Sequence, residues 1–364
     1  MSESVSKKST SKALWRKYQH RAQTRKRFFL GLAILLLVLG LVLISKLTQL
    51  IVSTQGPSLQ SADKHYTWDG TSTINLVVKA RYVYAVSFNP FNATATVLKI
   101  PDDTYLTVSR GFGRWPTSSI YDLGQSSKPP MGASLLKESI GLSFGVPVDG
   151  YLAIQGSLQD ESFDKVLEGI RKNPLSGIRL ISSTKTDLSF AEFFKLVWGL
   201  KDVRTDKIKY LDLGRSQITE SILLPDKSRA LGVDQIKLDQ LIQKQFTDSR
   251  LSDDGLTVGV YNGTNQPGLA ERVARILTNM GARVIITSNS PTSVGQSIVV
   301  GRSSYTKTRL TQVFAPACLQ GAIWPLSLLT KSKCDIKSSP VQDLRADVSL
   351  ILGDDYLQKL DGKN

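Results

Sequence analysis

The chain has 364 residues, 41% of them hydrophobic and 21% charged, enough apolar material for two or three folded units and too much for wholesale disorder. Its two histidines, His20 and His65, both lie near the amino end, and its two cysteines are Cys318 and Cys334. Together these exclude His-ligated zinc, HExxH proteolysis, Ser-His-Asp chemistry, Cys-rich zinc modules and iron–sulfur clusters in the body of the protein. The net charge of +15 is unevenly spread. Residues 1–27 hold nine Lys or Arg against one acid, Glu3, a net of +8 that leaves +7 for all the rest.

After Arg27 comes an uncharged run of 18 residues, Phe28 to Ser45, which meets the rough minimum for one membrane span of about 18–20 residues. Lys46 interrupts it before Leu47, Leu50, Ile51 and Val52 and can snorkel from a tilted helix. A cleaved signal peptide is the competing reading. The run is longer than a signal-peptide core and no small-x-small site follows it, so an uncleaved single-pass anchor over 28–52 is favoured. The basic cluster on its amino side puts residues 1–27 in the cytoplasm and the bulk of the chain outside the cell membrane. A DNA-binding arm is the disfavoured alternative, because topology and anionic lipid account for the basic run. Residues 53–70, small and polar with Gly56 and Pro57, read as a linker.

The next block, 71–250, opens with alternating β-formers at Ile74 to Val78, Tyr82 to Phe88 and Ala95 to Ile100. Asn89, Pro90, Phe91 and Asn92 are turn chemistry, which predicts a hairpin from the last two. A helix is expected near Ser134 to Leu142, a strand at Tyr151 to Gln155, and a helical middle with helices at Ser162 to Ile170 and Leu188 to Leu200. In the last of these Phe190, Phe193, Phe194 and Val197 fall at helical spacing, which reads as core, a groove for a lipid tail being the disfavoured alternative.

A smaller α/β unit is expected over 253–358. Leu256 to Tyr261 reads as a strand, Asn262 to Gly268 as a turn, and Leu269, Val273, Ile276, Leu277 and Met280 as one face of a helix. Gly281 sits where a helix-ending glycine belongs, and Glu271 and Arg275 are spaced to pair along the helix. Strands follow at Arg283 to Ile286, Ser297 to Val300 and Asp347 to Leu352. The strand-to-helix turn can cradle phosphate, but without G-x-G-x-x-G or G-K-[ST] the tight connection is the favoured reading. Cys318 and Cys334 are 16 residues apart. A bridge between them is allowed outside the membrane and would contribute ~3 kcal/mol in the chain-entropy model, the alternative being two buried thiols.

From Val258 through Thr264, Gly268 to Ala270, Gly281 to Val284 and Ala346 to Tyr356, the second unit resembles the carboxy-terminal domain of LytR-type proteins. More weakly, the first block is similar to the catalytic domain of the LytR-CpsA-Psr family. Val86 to Pro90, Leu98 to Tyr105, Ser118 to Gly124 and Gly145 to Tyr151 carry that resemblance. The chain is then an α/β protein with one transmembrane helix, a LytR-CpsA-Psr-like domain and a small α/β carboxy-terminal domain. The resemblance implies transfer of glycopolymers from polyprenyl pyrophosphate carriers to peptidoglycan, with carboxylates, a divalent metal and arginines around the pyrophosphate.

Two departures qualify that implication. Only Lys79, Ala80 and Arg81 lie where the family has an Asp- and Arg-bearing loop, and Pro101, Asp102, Asp103 and Thr104 stand where the family has Pro-Arg-Asp-Thr. An Asp there adds like charge beside phosphate where an Arg would pair with it. Arg81, Asp102, Asp103, Arg110 and Arg114 are the ligand-binding candidates, their bland alternative being solvated loop charges. No catalytic or metal-binding residue is assigned, and Mg²⁺ enters only with a working pyrophosphate site. Three functions are therefore weighed. The favoured one is an envelope protein with little or no catalytic activity that binds wall glycan or its polyprenyl carrier, or scaffolds other envelope proteins. The others are a phosphotransferase with a rebuilt site and a DNA-binding regulator.

Overall fold

The computed structural model describes residues 36, 38–40, 42, 67–155, 163–174, 177, 180, 184–224, 227–318 and 345–361. The chain divides into two compact units, Met1–Gly56 and Pro57–Asn364, and every described strand lies in the second. The proposed anchor falls largely outside the described residues. Within it, Leu36, Val38, Leu39, Gly40 and Val42 are helical, and the side chains of Leu36, Val38, Leu39 and Val42 are exposed. Among the described residues no helix is long and apolar enough to cross a membrane.

Strands β1 (Ile74–Lys79), β2 (Val83–Asn89) and β3 (Thr94–Ile100) form an antiparallel meander. Asn89 Oδ1 accepts the N–H groups of Phe91 and Asn92 and so holds the β2–β3 turn. Strands β6 (Gly150–Ile154) and β8 (Ile208–Asp212) add parallel to β1 and β3, and β7 (Thr184–Thr186) closes the other edge. The order is β7-β6-β1-β2-β3-β8. Their side chains alternate between two cores, as a period of two requires. Ile74, Leu76, Val78, Tyr84, Val86 and Phe88 pack with helices α3 (Phe163–Lys172) and α4 (Phe190–Lys201). Val77, Val83, Ala85, Leu98 and Ile100 pack on the opposite face with α1 (Thr117–Gln125), α2 (Gly132–Phe144) and α5 (Gln235–Gln245).

Sequence periodicity missed several pieces. Hairpins β4 (Tyr105–Val108) with β5 (Gly113–Pro116) and β9 (Thr219–Leu223) with β10 (Arg229–Val233) have strands of only four or five residues, too short for an apolar period to stand out. The stretch expected as a helical middle in fact supplies β7 and β8 to the sheet as well as its helices, because edge strands need only one apolar face. The crossing of α1 on α2 depends on Gly124, where a Cβ would lie 2.7 Å from Gly132 Cα.

The second sheet has the order β12-β11-β14-β13, from β11 (Thr257–Asn262), β12 (Arg283–Asn289), β13 (Ile298–Gly301) and β14 (Val348–Leu352). Val258, Val260, Leu350 and Leu352 pack under α7 (Leu269–Asn279), α8 (Tyr305–Phe314) and α9 (Asp354–Asp361). Gly281 follows α7 at φ +97°, the left-handed conformation that a glycine tolerates. The short helix α6 (Ser249–Asp254) leads into this sheet.

The two α/β parts are joined by charge buried with its partners. Arg309 of α8 is 1% exposed and donates to the Thr73 carbonyl at 3.0 Å. It also lies 3.4 Å from Asp149 and 3.7 Å from Asp248. Asp149 also accepts the Asn75 N–H, which ties the ion pair to the start of β1. On α7, Arg275 does not pair with Glu271 as its spacing suggested. It forks onto Asp239 of α5 at 2.7 and 2.8 Å and donates to the carbonyls of Leu142 and Ser143. Asn279, one turn on, donates to the carbonyls of Phe144 and Gly145. A cation and an amide from the second part thus cap the carboxy-terminal carbonyls of α2, which no residue of that helix can satisfy.

Candidate functional site

The carboxyl ends of β1 and β3, each flanked by a parallel neighbour, are where an α/β sheet offers a ligand crevice. The chain returns from β1 to β2 through Ala80, Arg81 and Tyr82 alone, the Ala80 N–H donating to the Tyr82 carbonyl. This tight turn leaves Lys79 and Arg81 at the rim. Lys79 Nζ stands 5.4 Å from the Tyr121 ring centroid and the Arg81 guanidinium 5.6 Å from that of Tyr82. Neither cation has a carboxylate partner among the described residues. Lys99 Nζ lies 4.0 Å from the Tyr82 ring centroid and 3.7 Å from Asp212.

The acids nearby are dispersed. Asp102 is half-buried, and its carbonyl receives the N–H and hydroxyl of Ser118, seating the start of α1. Asp103 is exposed. Burial raises the carboxyl of Asp164 on α3 above the ordinary range, with Lys99 pulling the other way. Burial likewise raises the Tyr84 hydroxyl, helped by the negative charges of Asp164 and Asp102. These shifts place Tyr84, Lys99, Asp102 and Asp164 in one electrostatic neighbourhood. Among the described residues no three His, Cys, Asp or Glu side chains come together as a metal-holding group. Asp102 and Asp103 therefore do not by themselves fit the divalent metal that the resemblance implies, and no step is derived through one.

The five candidate residues do not converge. Arg81, Asp102 and Asp103 border the strand ends, whereas Arg110 is committed elsewhere. Its guanidinium forks onto Glu138 of α2 at 2.8 and 2.5 Å, and Ser109 donates to the same carboxylate. With φ at +57°, Arg110 is a clamp between the β4–β5 hairpin and α2 rather than an open phosphate contact. Arg114 lines a separate cleft of about 380 Å³ with Tyr105, Ser143, Glu220, Gln235 and Arg272. Sequence reasoning passed over Lys79, Lys99 and Tyr82. The only signal available was their position at predicted strand ends, since the surroundings of Lys79 became visible only in the fold. Cys318 is disulfide-bonded, while Cys334 lies outside the described residues, and the pairing of the two stands as a proposal.

Residues 255–356 match the family described as LytR cell envelope-related transcriptional attenuator. This part of the chain is a LytR C-terminal domain. No curated protein matches the chain. Among solved structures, the Bacillus subtilis protein described as the transcriptional regulator YvhJ is 13% identical, covering 48% of this chain and 97% of that one at a TM-score of 0.35. B. subtilis TagV is 11% identical over 48% and 98% at 0.38. The LytR-CPS2A-psr family protein YwtF (TagT) with bound octaprenyl pyrophosphate lipid is 16% identical over 50% and 92% at 0.34. Overlap at these scores carries nothing about this chain's chemistry. The LytR C-terminal domain contributes Arg272 to the cleft, and Arg275, Asn279 and Arg309 to the contact with the first α/β part.

Proposed function

We propose that this protein is a membrane-anchored, extracytoplasmic envelope protein whose first domain is LytR-CpsA-Psr-like and binds the phosphate of a polyprenyl-linked or wall glycopolymer with little or no turnover. The observation that carries this reading is the pair Lys79 and Arg81, two cations at the strand ends without carboxylate partners among the described residues. They are supplied by the same short turn that removes the family's acidic loop. A cation leaning on an aromatic face keeps its donors available to an anion. Support for the envelope setting comes from the LytR C-terminal domain and from the apolar run preceding the linker. Octaprenyl pyrophosphate, the lipid bound to YwtF (TagT), belongs to the ligand class to try first.

The test uses the full chain in detergent, titrated with a short-chain polyprenyl pyrophosphate with and without Mg²⁺, following both binding and phosphate release. Binding that weakens about tenfold in Lys79→Ala or Arg81→Ala, as loss of one charge-assisted contact of about 1.4 kcal/mol would give, without phosphate release, supports the reading. Metal-dependent release abolished by Asp103→Ala would replace it with a working transferase. No binding at all would sink the anion site and leave a scaffold.

A further inference from the structure

Helix α4 has two unlike faces. Phe193, Leu196, Val197 and Leu200 are buried against the first sheet, while Phe190, Phe194 and Trp198 are 37, 40 and 47% exposed. The three exposed rings are one turn apart and stack in a ladder, with centroids 6.4 and 5.5 Å apart. Two lysines border this face. Lys195 is exposed beside the ladder, and Lys201 places its ammonium 5.2 Å from the Trp198 ring centroid. The helix's one carboxylate, Glu192, is turned inward at 1% exposure. The outward face of the helix therefore carries aromatic rings and positive charge, and the exposed carboxylate next to it is the C-cap, Asp202, just past Lys201.

A second observation bears on what lies within reach of this face. The described chain enters the fold directly on α4. The Trp68 N–H donates to Glu192 Oε1 at 2.6 Å, and a Cβ at Gly70 would lie 3.3 Å from Lys195 Cδ. Residues 53–66, between the apolar run and this entry, can span at most ~50 Å even if fully extended. A chain anchored through its apolar run therefore holds α4 within that distance of the bilayer.

We infer that the Phe190, Phe194 and Trp198 face of α4, flanked by Lys195 and Lys201, seats on the anionic headgroup surface of the membrane in which the chain is anchored. Stacked aromatic rings with an apolar body suit the boundary between headgroups and acyl chains, and ammonium groups beside them pair with lipid phosphate. Such seating fixes the orientation of the folded part with respect to the bilayer, which a polar linker alone leaves free. The inference rests on the anchored reading above.

The test is photo-crosslinking of the full chain in vesicles containing anionic phospholipid. A benzophenone amino acid replaces Phe194 in one sample and Ile236, 73% exposed on α5, in a control. Vesicle flotation is scored first. Lipid adducts several-fold more abundant from position 194 than from 236, and reduced by charge reversal in Lys195→Glu with Lys201→Glu, are the expected result. If the chain floats with the vesicles but position 194 labels only protein or glycan, or labels lipid no more than position 236, the inference is overturned while the anchor stands. If the chain does not float, both fall.

Discussion

The cations of this protein fall into two groups that differ in what surrounds them. Arg309, Arg275 and Arg110 are committed to carboxylates and carbonyls: Arg309 to Asp149 and Asp248, Arg275 to Asp239, Arg110 to Glu138. Lys79 and Arg81 lie at the strand ends against tyrosine rings, without a carboxylate among the described residues. A charge taken out of water must be matched or it destabilises the fold, whereas a rim charge can remain hydrated until an anion arrives. The first group therefore belongs to architecture, and the second carries the proposed binding.

The sharpest way to break this division is Arg309→Met. Removing one partner of a buried ion pair, and so stranding Asp149 and Asp248, should cost about 3–5 kcal/mol in urea unfolding, and a loss under about 1 kcal/mol would refute the buried-lock assignment. Arg275→Ala should cost less, about 1–3 kcal/mol, because its guanidinium is partly exposed while the α2 carbonyls it caps are left short of donors. Combining it with Asn279→Ala should show non-additive loss, since both residues serve the same helix end.

Asp248 offers a test by pH. Its carboxyl is raised by burial, against the Tyr305 hydroxyl that donates to it at 2.6 Å and the positive charges of Arg309 and Arg250. The folded state then holds this proton at pH values where the unfolded chain has lost it. Its contribution is fully present below the ordinary carboxylate range and is lost as pH rises through the raised value. Asp248→Asn, which keeps a neutral group at all pH values, should flatten that part of the stability profile measured by thermal melts. The smallest effect on folding is expected from Lys79→Ala and Arg81→Ala, within about 0.5 kcal/mol of the parent. These variants should instead show themselves in ligand affinity, and a marked drop in stability would move both residues into the architectural group.

Much of the fold was legible because burial imposes a period. The β1–β2–β3 meander and the strand-turn-helix unit at Thr257–Asn279 carry apolar residues at spacings of two or of three and four. The Phe190 helix shows where that reading stops. Its aromatic residues gave a helix, but Phe193 faces the core and Phe194 the outside, a difference of one residue that no period assigns without knowing where the sheet lies. The proposed site was legible in part. Arg81, Asp102 and Asp103 came from motif positions, while Lys79 and Tyr82 were not named as candidates, and the pairing of Arg110 with Glu138, 28 residues away, is not readable from local sequence.

The sequence by itself determined the charge asymmetry, the long apolar run, two α/β units in order and the shortness of the link between the first two strands. All of these follow from local composition and spacing. Only the tertiary structure decided which cations are spent on the fold and which remain at the rim. It also decided that α7 caps α2 and that α4 turns an aromatic ladder outward. Partners far apart in the chain are set by packing, and the electrostatic fate of a side chain depends on those partners and on its distance from water.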